Sequence, residues 1–107
     1  MHRIRASEKT LEPRFCAIIE RAGGMARKLV AISFTGWPDR TILLPGGVVA
    51  FVEFKSTGKK LRARQEIVKA WLIKNGFRYY VVDTEESLQA ALLELIKGNY
   101  ILIYPCL

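Results

Sequence analysis

Hydrophobic positions fall into two periods along the chain. Leu11, Phe15, Ile18, Ile19 and Ala22 recur at helical spacing and predict a first helix over about 11–22 with one buried face. Thr10 as N-cap would leave Pro13 in the first turn, where a missing N–H costs little. With Ser7 as cap, Pro13 falls deeper and should kink the helix. Gly23-Gly24 ends it. Strand patterns follow at 25–33, 41–44 and 48–55, with Gly36-Trp37-Pro38 as a turn and Pro45-Gly46-Gly47 closing a hairpin. The run VVAFV implies a strand buried on both faces up to Glu53. A helix over 61–75 stops at Gly76, a fourth strand covers 77–82, and a last helix, capped by Asp83 or Thr84, runs to about Lys97 with Leu88, Leu92, Leu95 and Ile96 on one face. The order is α-β-β-β-α-β-α. The segment from Gly98 to Leu107, with its apolar run YILIYP, fits a further strand, a contact between subunits or residues foreign to the domain.

A chain of 107 residues is one domain, with a core small enough that a partner subunit would add stability. Half the residues are apolar and a quarter charged, which excludes a disordered chain. The formal net charge of +7 points to a polyanionic partner, nucleic acid first. Cys16 and Cys106 lack metal or redox spacing, and Cys16 reads as a small core residue. Without a secretory signal or an apolar run of membrane-spanning length, the expected setting is the cytoplasm. His2 is the sole histidine and lies at the terminus, which disfavours histidine-based catalysis. Trp71, among Ile67, Val68 and Leu72, reads as core or dimer contact, and Trp37 as a stacking or turn-shaping residue.

Chemistry concentrates between the second and third strands. Pro38-Asp39 is followed, after thirteen residues, by Glu53-Phe54-Lys55. On a strand, Glu53 and Lys55 share one face while Val52 and Phe54 share the other. The hairpin carries Asp39 and Glu53 to one end of the sheet, where two carboxylates repel unless a cation lies between them. Oxygen ligands of this kind suit Mg²⁺ or Mn²⁺. From Lys55 to Arg64 the chain carries Lys55, Lys59, Lys60, Arg62 and Arg64 with no acid, directly beside this cluster. Cations there can grip flanking phosphates. Taken singly, Glu53 with Lys55 is an ordinary salt bridge, Asp39 ordinary turn chemistry, and STGKK is no P-loop.

Together, GWPDR, FVEFK and Gln65 on the next helix resemble the virus-type replication-repair nuclease (VRR-NUC) family of the PD-(D/E)xK nucleases, over about 7–96. The resemblance implies a restriction-endonuclease-like α/β core with a mixed central sheet flanked by helices, a single nuclease domain over about 1–97, and a metal-dependent endonuclease acting on DNA. Asp39 and Glu53 would hold Mg²⁺ or Mn²⁺, helped by the Phe54 carbonyl. Lys55 would position the attacking water, and Gln65 would orient the lysine, the water or a metal-bound group. A helical glutamate completes the pattern. Glu12, eleven residues before Gly23, fits better than Glu8, which reads as a helix-entry carboxylate. Arg40, Lys59, Lys60, Arg62 and Arg64 would contact phosphate. Stand-alone members resemble Holliday junction resolvases, which implies a homodimer cutting four-way junctions in repair or recombination, in a bacterial or phage setting. A flap or fork nuclease, and a basic module that binds branched DNA or RNA without cutting, are the competing readings.

Overall fold

The structure is a computed structural model and describes residues 5–29 and 34–96. In chain order the elements are α1 (Glu8–Arg21), β1 (Met25–Arg27), β2 (Arg40–Leu44), β3 (Val48–Phe54), α2 (Ala63–Lys74), β4 (Arg78–Val82) and α3 (Glu85–Leu95). This is the α-β-β-β-α-β-α order expected from the hydrophobic pattern. The four strands form one mixed sheet in the order β1-β2-β3-β4. β1 and β2 pair antiparallel, as do β2 and β3, and β3 pairs parallel with β4. A parallel pair needs a crossover, and α2 supplies it. The crossover sets the N-terminal end of α2 beside the C-terminal end of β3, where Glu53 lies.

The two faces of the sheet are covered unequally. Ala50, Val52 and Phe54 join Leu11, Phe15 and Ile19 of α1 and Leu88 and Leu92 of α3 in the main core. Phe15 and Phe54 meet edge to face, centroids 5.5 Å apart. On the other face Phe51 packs with Val68 and Leu72 of α2, flanked by Trp37 and Tyr79. The buried run of β3 thus has a layer on either side. Among the described residues no helix is long and apolar enough to cross a membrane.

Several expectations shift. The first helix starts at Glu8 after Ser7, not after Thr10, so Pro13 lies inside it. The lead-in is pinned from outside the helix. The Ala6 N–H donates to Thr57 Oγ1 at 2.8 Å and the Thr57 N–H to the Ala6 carbonyl at 2.9 Å, while the Glu8 N–H reaches Ser56 Oγ at 3.4 Å. These tertiary contacts outweigh the local proline signal. β1 closes at Arg27, short of the expected run to Ser33; residues 30–33 lie outside the described residues. α2 opens at Ala63 and α3 is capped by Thr84, whose Oγ1 accepts the Ser87 N–H at 3.0 Å. Cys16 is half-buried at the core margin, and burial pushes its thiol pKa up. Trp71 is 59% exposed and so is not core: the inward stripe of α2 is Gln65, Val68 and Leu72. Lys97, the segment 98–107 with Cys106, and His2 lie outside the described residues.

Candidate active site

Pro38 ends the run of the chain into β2, and the last paired residue is Arg40, opposite Val52. Beyond that point Phe54 has no β2 partner. Asp39 takes the place of one: its Oδ2 accepts the Phe54 N–H at 2.8 Å. A side chain thereby continues the ladder by one step and fixes the carboxylate against β3. Within an extended residue the N–H and C=O point to the same side, so the Phe54 carbonyl faces the Asp39 side as well.

Glu53 projects from the face of β3 that carries Phe51, under α2, and is 2% exposed. Its Oε2 accepts from Gln65 Nε2 at 2.9 Å and lies 3.8 Å from Lys55 Nζ. Glu53 and Lys55 therefore point together, as the strand period requires. Its Oε1 is buried with no hydrogen-bond partner. Burial, then the neighbouring Asp39 carboxylate, pushes the Glu53 pKa up to about 7, and Lys55 only partly offsets this. A buried acid beside a second acid, with one bare oxygen, is the situation that a divalent cation would relieve. The donor set fits Mg²⁺ or Mn²⁺: hard carboxylate oxygens and a nearby carbonyl.

Gln65 is held at both ends of its amide. Its Oε1 accepts the Arg62 N–H at 2.8 Å, closing the first turn of α2, while Nε2 holds Glu53. Of the groups it was expected to orient, its amide touches the Glu53 carboxylate, an expected metal-bound group. Gln65→Ala should leave Glu53 Oε2 with no hydrogen bond and only the longer ion pair to Lys55. We expect a chain less stable by about 1–3 kcal/mol, read as a lower midpoint in urea unfolding at pH 8.

The loop before Asp39 closes against α2. Gly36 has φ +88°, and a Cβ placed there would come within 2.6 Å of the Arg64 carbonyl oxygen. Between loop and helix lies a cleft of about 380 Å³ lined by Thr35, Gly36, Trp37, Asp39, Arg62, Arg64 and Gln65. Arg62 and Arg64 thus border the carboxylates, while Lys59 and Lys60 are exposed on the preceding loop.

Glu12 and Arg40 stand elsewhere. Arg40, opposite Val52, shares the face of the sheet on which α1 packs. Its Nε donates to Glu12 Oε2 at 2.8 Å and its Nη1 to the Ala26 carbonyl at 3.0 Å. The pair braces α1 to β1 and β2. Among the described residues no group of three His, Cys, Asp or Glu side chains gathers around one point. The structure brings Asp39 and Glu53 together and does not bring Glu12 to them. Glu8 is exposed, its N–H beside Ser56, the residue after Lys55.

Tyr79 was not singled out as a site residue in the sequence. It is opposite Phe51 in the parallel register, and burial, then the charges of Glu53 and Asp39, push its hydroxyl pKa up. Two-residue alternation in β4 is the signal that would have placed it on the Glu53 face.

A mixed four-stranded sheet that delivers an aspartate, a glutamate and a lysine to one end, with a glutamine from the crossover helix, is the arrangement of a PD-(D/E)xK nuclease. Comparison with known proteins agrees. No family model matches the chain. "Putative nuclease p44" of Acyrthosiphon pisum secondary endosymbiont phage 1 is 33% identical over 79 residues, covering 74% of this chain and 85% of that protein. A solved structure described as a VRR_NUC domain superposes with a TM-score of 0.75 at 28% identity, covering 83% of this chain and 97% of the other. The chain belongs to the VRR-NUC family of nuclease domains.

Proposed function

We propose that this chain is a divalent-metal-dependent, structure-selective DNA endonuclease that acts as a homodimer on four-way junctions. The observation that carries the metal reading is the bare, buried Oε1 of Glu53 beside the Asp39 carboxylate, with Lys55 on the same face. Glu53 Oε1, Asp39 and the Phe54 carbonyl would hold Mg²⁺ or Mn²⁺, which when bound neutralises phosphate charge and makes a nearby water more acidic. Glu12 Oε2 is engaged by Arg40 Nε, and Arg40 also by the Ala26 carbonyl, so this pair serves first as a brace beside the site.

The remaining work falls to the chain itself. The Lys55 ammonium donates hydrogen bonds to the attacking water and to the phosphate oxygens as charge builds on them. Gln65 holds Glu53 in one orientation, so its free oxygen need not be ordered during the reaction. Arg62 and Arg64 line the cleft and hold the flanking phosphates, and Lys59 and Lys60 extend that grip from the loop. A +7 chain attracts DNA from a distance, and its binding should weaken steeply with salt. The phage relative fits work in a phage-infected bacterial cytoplasm.

Cleavage of a labelled four-way junction, beside flap, duplex and single strand, with Mg²⁺, Mn²⁺ or chelator, is the decisive assay. We expect metal-dependent paired nicks on the junction. Lys55→Ala should lower cutting by about 10³-fold or more while junction binding persists. Preference for the flap would replace the junction reading. Tight binding without cutting under either metal would defeat the nuclease mechanism. Mn²⁺ should also raise the melting temperature, and Asp39→Asn should cancel that rise.

A further inference from the structure

The loop that carries Asp39 has a second cleft beside it. This one, of about 270 Å³, is lined by Lys28 and Leu29, just past β1, by Phe34, and by the loop from Gly36 to Asp39. The cleft towards α2 is lined instead by Arg62, Arg64 and Gln65 together with the same loop. The two share Gly36, Trp37 and Asp39, so Asp39 borders both. A strand of DNA with its scissile phosphate at Asp39 can therefore continue into one cleft on either side.

The two clefts differ in chemistry. The one at α2 offers two guanidinium groups. The one at β1 joins a single cation to an apolar, partly aromatic wall. Leu29 and Phe34 are both exposed there. Trp37 is held by edge contacts with Phe34, centroids 6.0 Å apart, and with Phe51 at 5.4 Å, so its ring is a fixed surface. Lys28 is the one cation among the described residues that line the cleft. It is exposed and forms no ion pair among the described residues. Arg40, next to Asp39 in sequence, is by contrast committed to Glu12 and the Ala26 carbonyl.

We infer that the β1 cleft receives one unpaired nucleotide of the strand being cut, its base against Phe34 and Trp37 and its phosphate on Lys28. The inference rests on the nuclease reading for the presence of a strand at Asp39. A free cation and an aromatic wall within one small cleft match the two halves of a nucleotide, the anionic backbone and the π-face of the base. The faces of a base in duplex DNA are covered by its neighbours, and the cleft is too small for a duplex. A base enters only by leaving the stack, and this costs least where pairing is already interrupted. The cleft thus favours DNA with a branch point next to the scissile phosphate. Lys55 and the carboxylates have no such preference, because they address a phosphate that every DNA presents.

Binding measured in chelator separates this subsite from cutting. Two labelled four-way junctions serve as probes in fluorescence anisotropy, one with an extra unpaired thymine at the branch point and one with an abasic residue in its place. The wild-type chain should hold the thymine junction about fivefold or more tightly. Phe34→Ala should abolish that preference and still bind the abasic junction as the wild type does. Lys28→Ala should weaken both junctions alike and lower the slope of log affinity against log salt by about one. Lys28→Arg should restore both. Lys74→Ala, at the far end of α2, should leave slope and preference unchanged. Lys28 and Phe34 are exposed, so these variants should keep the wild-type circular dichroism. Equal binding of the two junctions by the wild type overturns the proposal. So does Lys28→Ala with the wild-type slope, or Phe34→Ala that weakens both junctions alike. A thymine preference without metal-dependent cutting supports the subsite and defeats the proposed activity alone; cutting without the preference does the reverse.

Discussion

Glu53→Gln should make the metal-free protein more stable at pH 8 while abolishing metal-dependent cutting. The reason is the pKa of about 7 imposed on Glu53 by burial and by Asp39, against an ordinary value of 4.5. Between these two values the folded chain holds a proton that the unfolded chain has lost. Linkage then makes stability fall as pH rises from about 4.5, with the loss complete above about 7. An amide at position 53 never ionises, so the loss disappears. At about 1.4 kcal/mol per pKa unit the gain at pH 8 is on the order of 3–4 kcal/mol, vanishing near pH 4.5. Urea unfolding across this range reads the slope directly. The same proton must leave before the carboxylate can hold a cation. Mn²⁺ affinity of the wild-type chain should therefore rise about tenfold per unit up to about pH 7 and flatten above it. A wild-type chain with no stability slope in this window, or with metal affinity independent of pH, would show that Glu53 is ionised as an ordinary surface acid.

Gly36→Ala should be the most damaging single methyl group in the described structure. At φ +88° any side chain is strained, and the added Cβ would meet the Arg64 carbonyl oxygen at 2.6 Å. The atom it meets is backbone and cannot swing aside, so relief requires the Gly36–Asp39 loop to move away from α2. Strain alone costs about 1–3 kcal/mol, and the movement carries Asp39 off the Phe54 N–H. We expect a fall in melting temperature together with a loss of cutting of about 10²-fold or more, since small misplacements of a catalytic group have effects of that size. Gly46→Ala is the control: it has a similar φ, +88°, but open space around the added Cβ. It should show the strain without the loss of activity.

Element order and the Asp39–Glu53–Lys55 cluster were legible from the chain because each rests on short-range periodicity. Alternation along β3 separates Glu53 and Lys55 from Val52 and Phe54, and the hairpin carries Asp39 to the same end. The start of α1 was not legible. It is decided by Thr57 and Ser56, some fifty residues away in sequence, holding Ala6 and Glu8. Glu12 illustrates the same limit. Its spacing from Gly23 suits a metal ligand, yet its carboxylate is engaged by Arg40, a neighbour only after β2 has packed beneath α1. Trp71 has an apolar setting in sequence, but helical phase gives the inward positions to Gln65, Val68 and Leu72. The role of Gln65 is a contact between two elements, and only folding reveals that its amide ends on Glu53.

The Asp39–Phe54 hydrogen bond places one residue under two independent demands. One oxygen serves the strand, and the other is left for chemistry. Asparagine meets the first demand through its carbonyl and fails the second, whereas alanine fails both. Among descendants of such a chain, loss of cutting by the route Asp to Asn would leave the architecture standing. A lineage could thus convert a cutting domain into one that only grips branched DNA in a single step, and asparagine at this position would be the trace of that history.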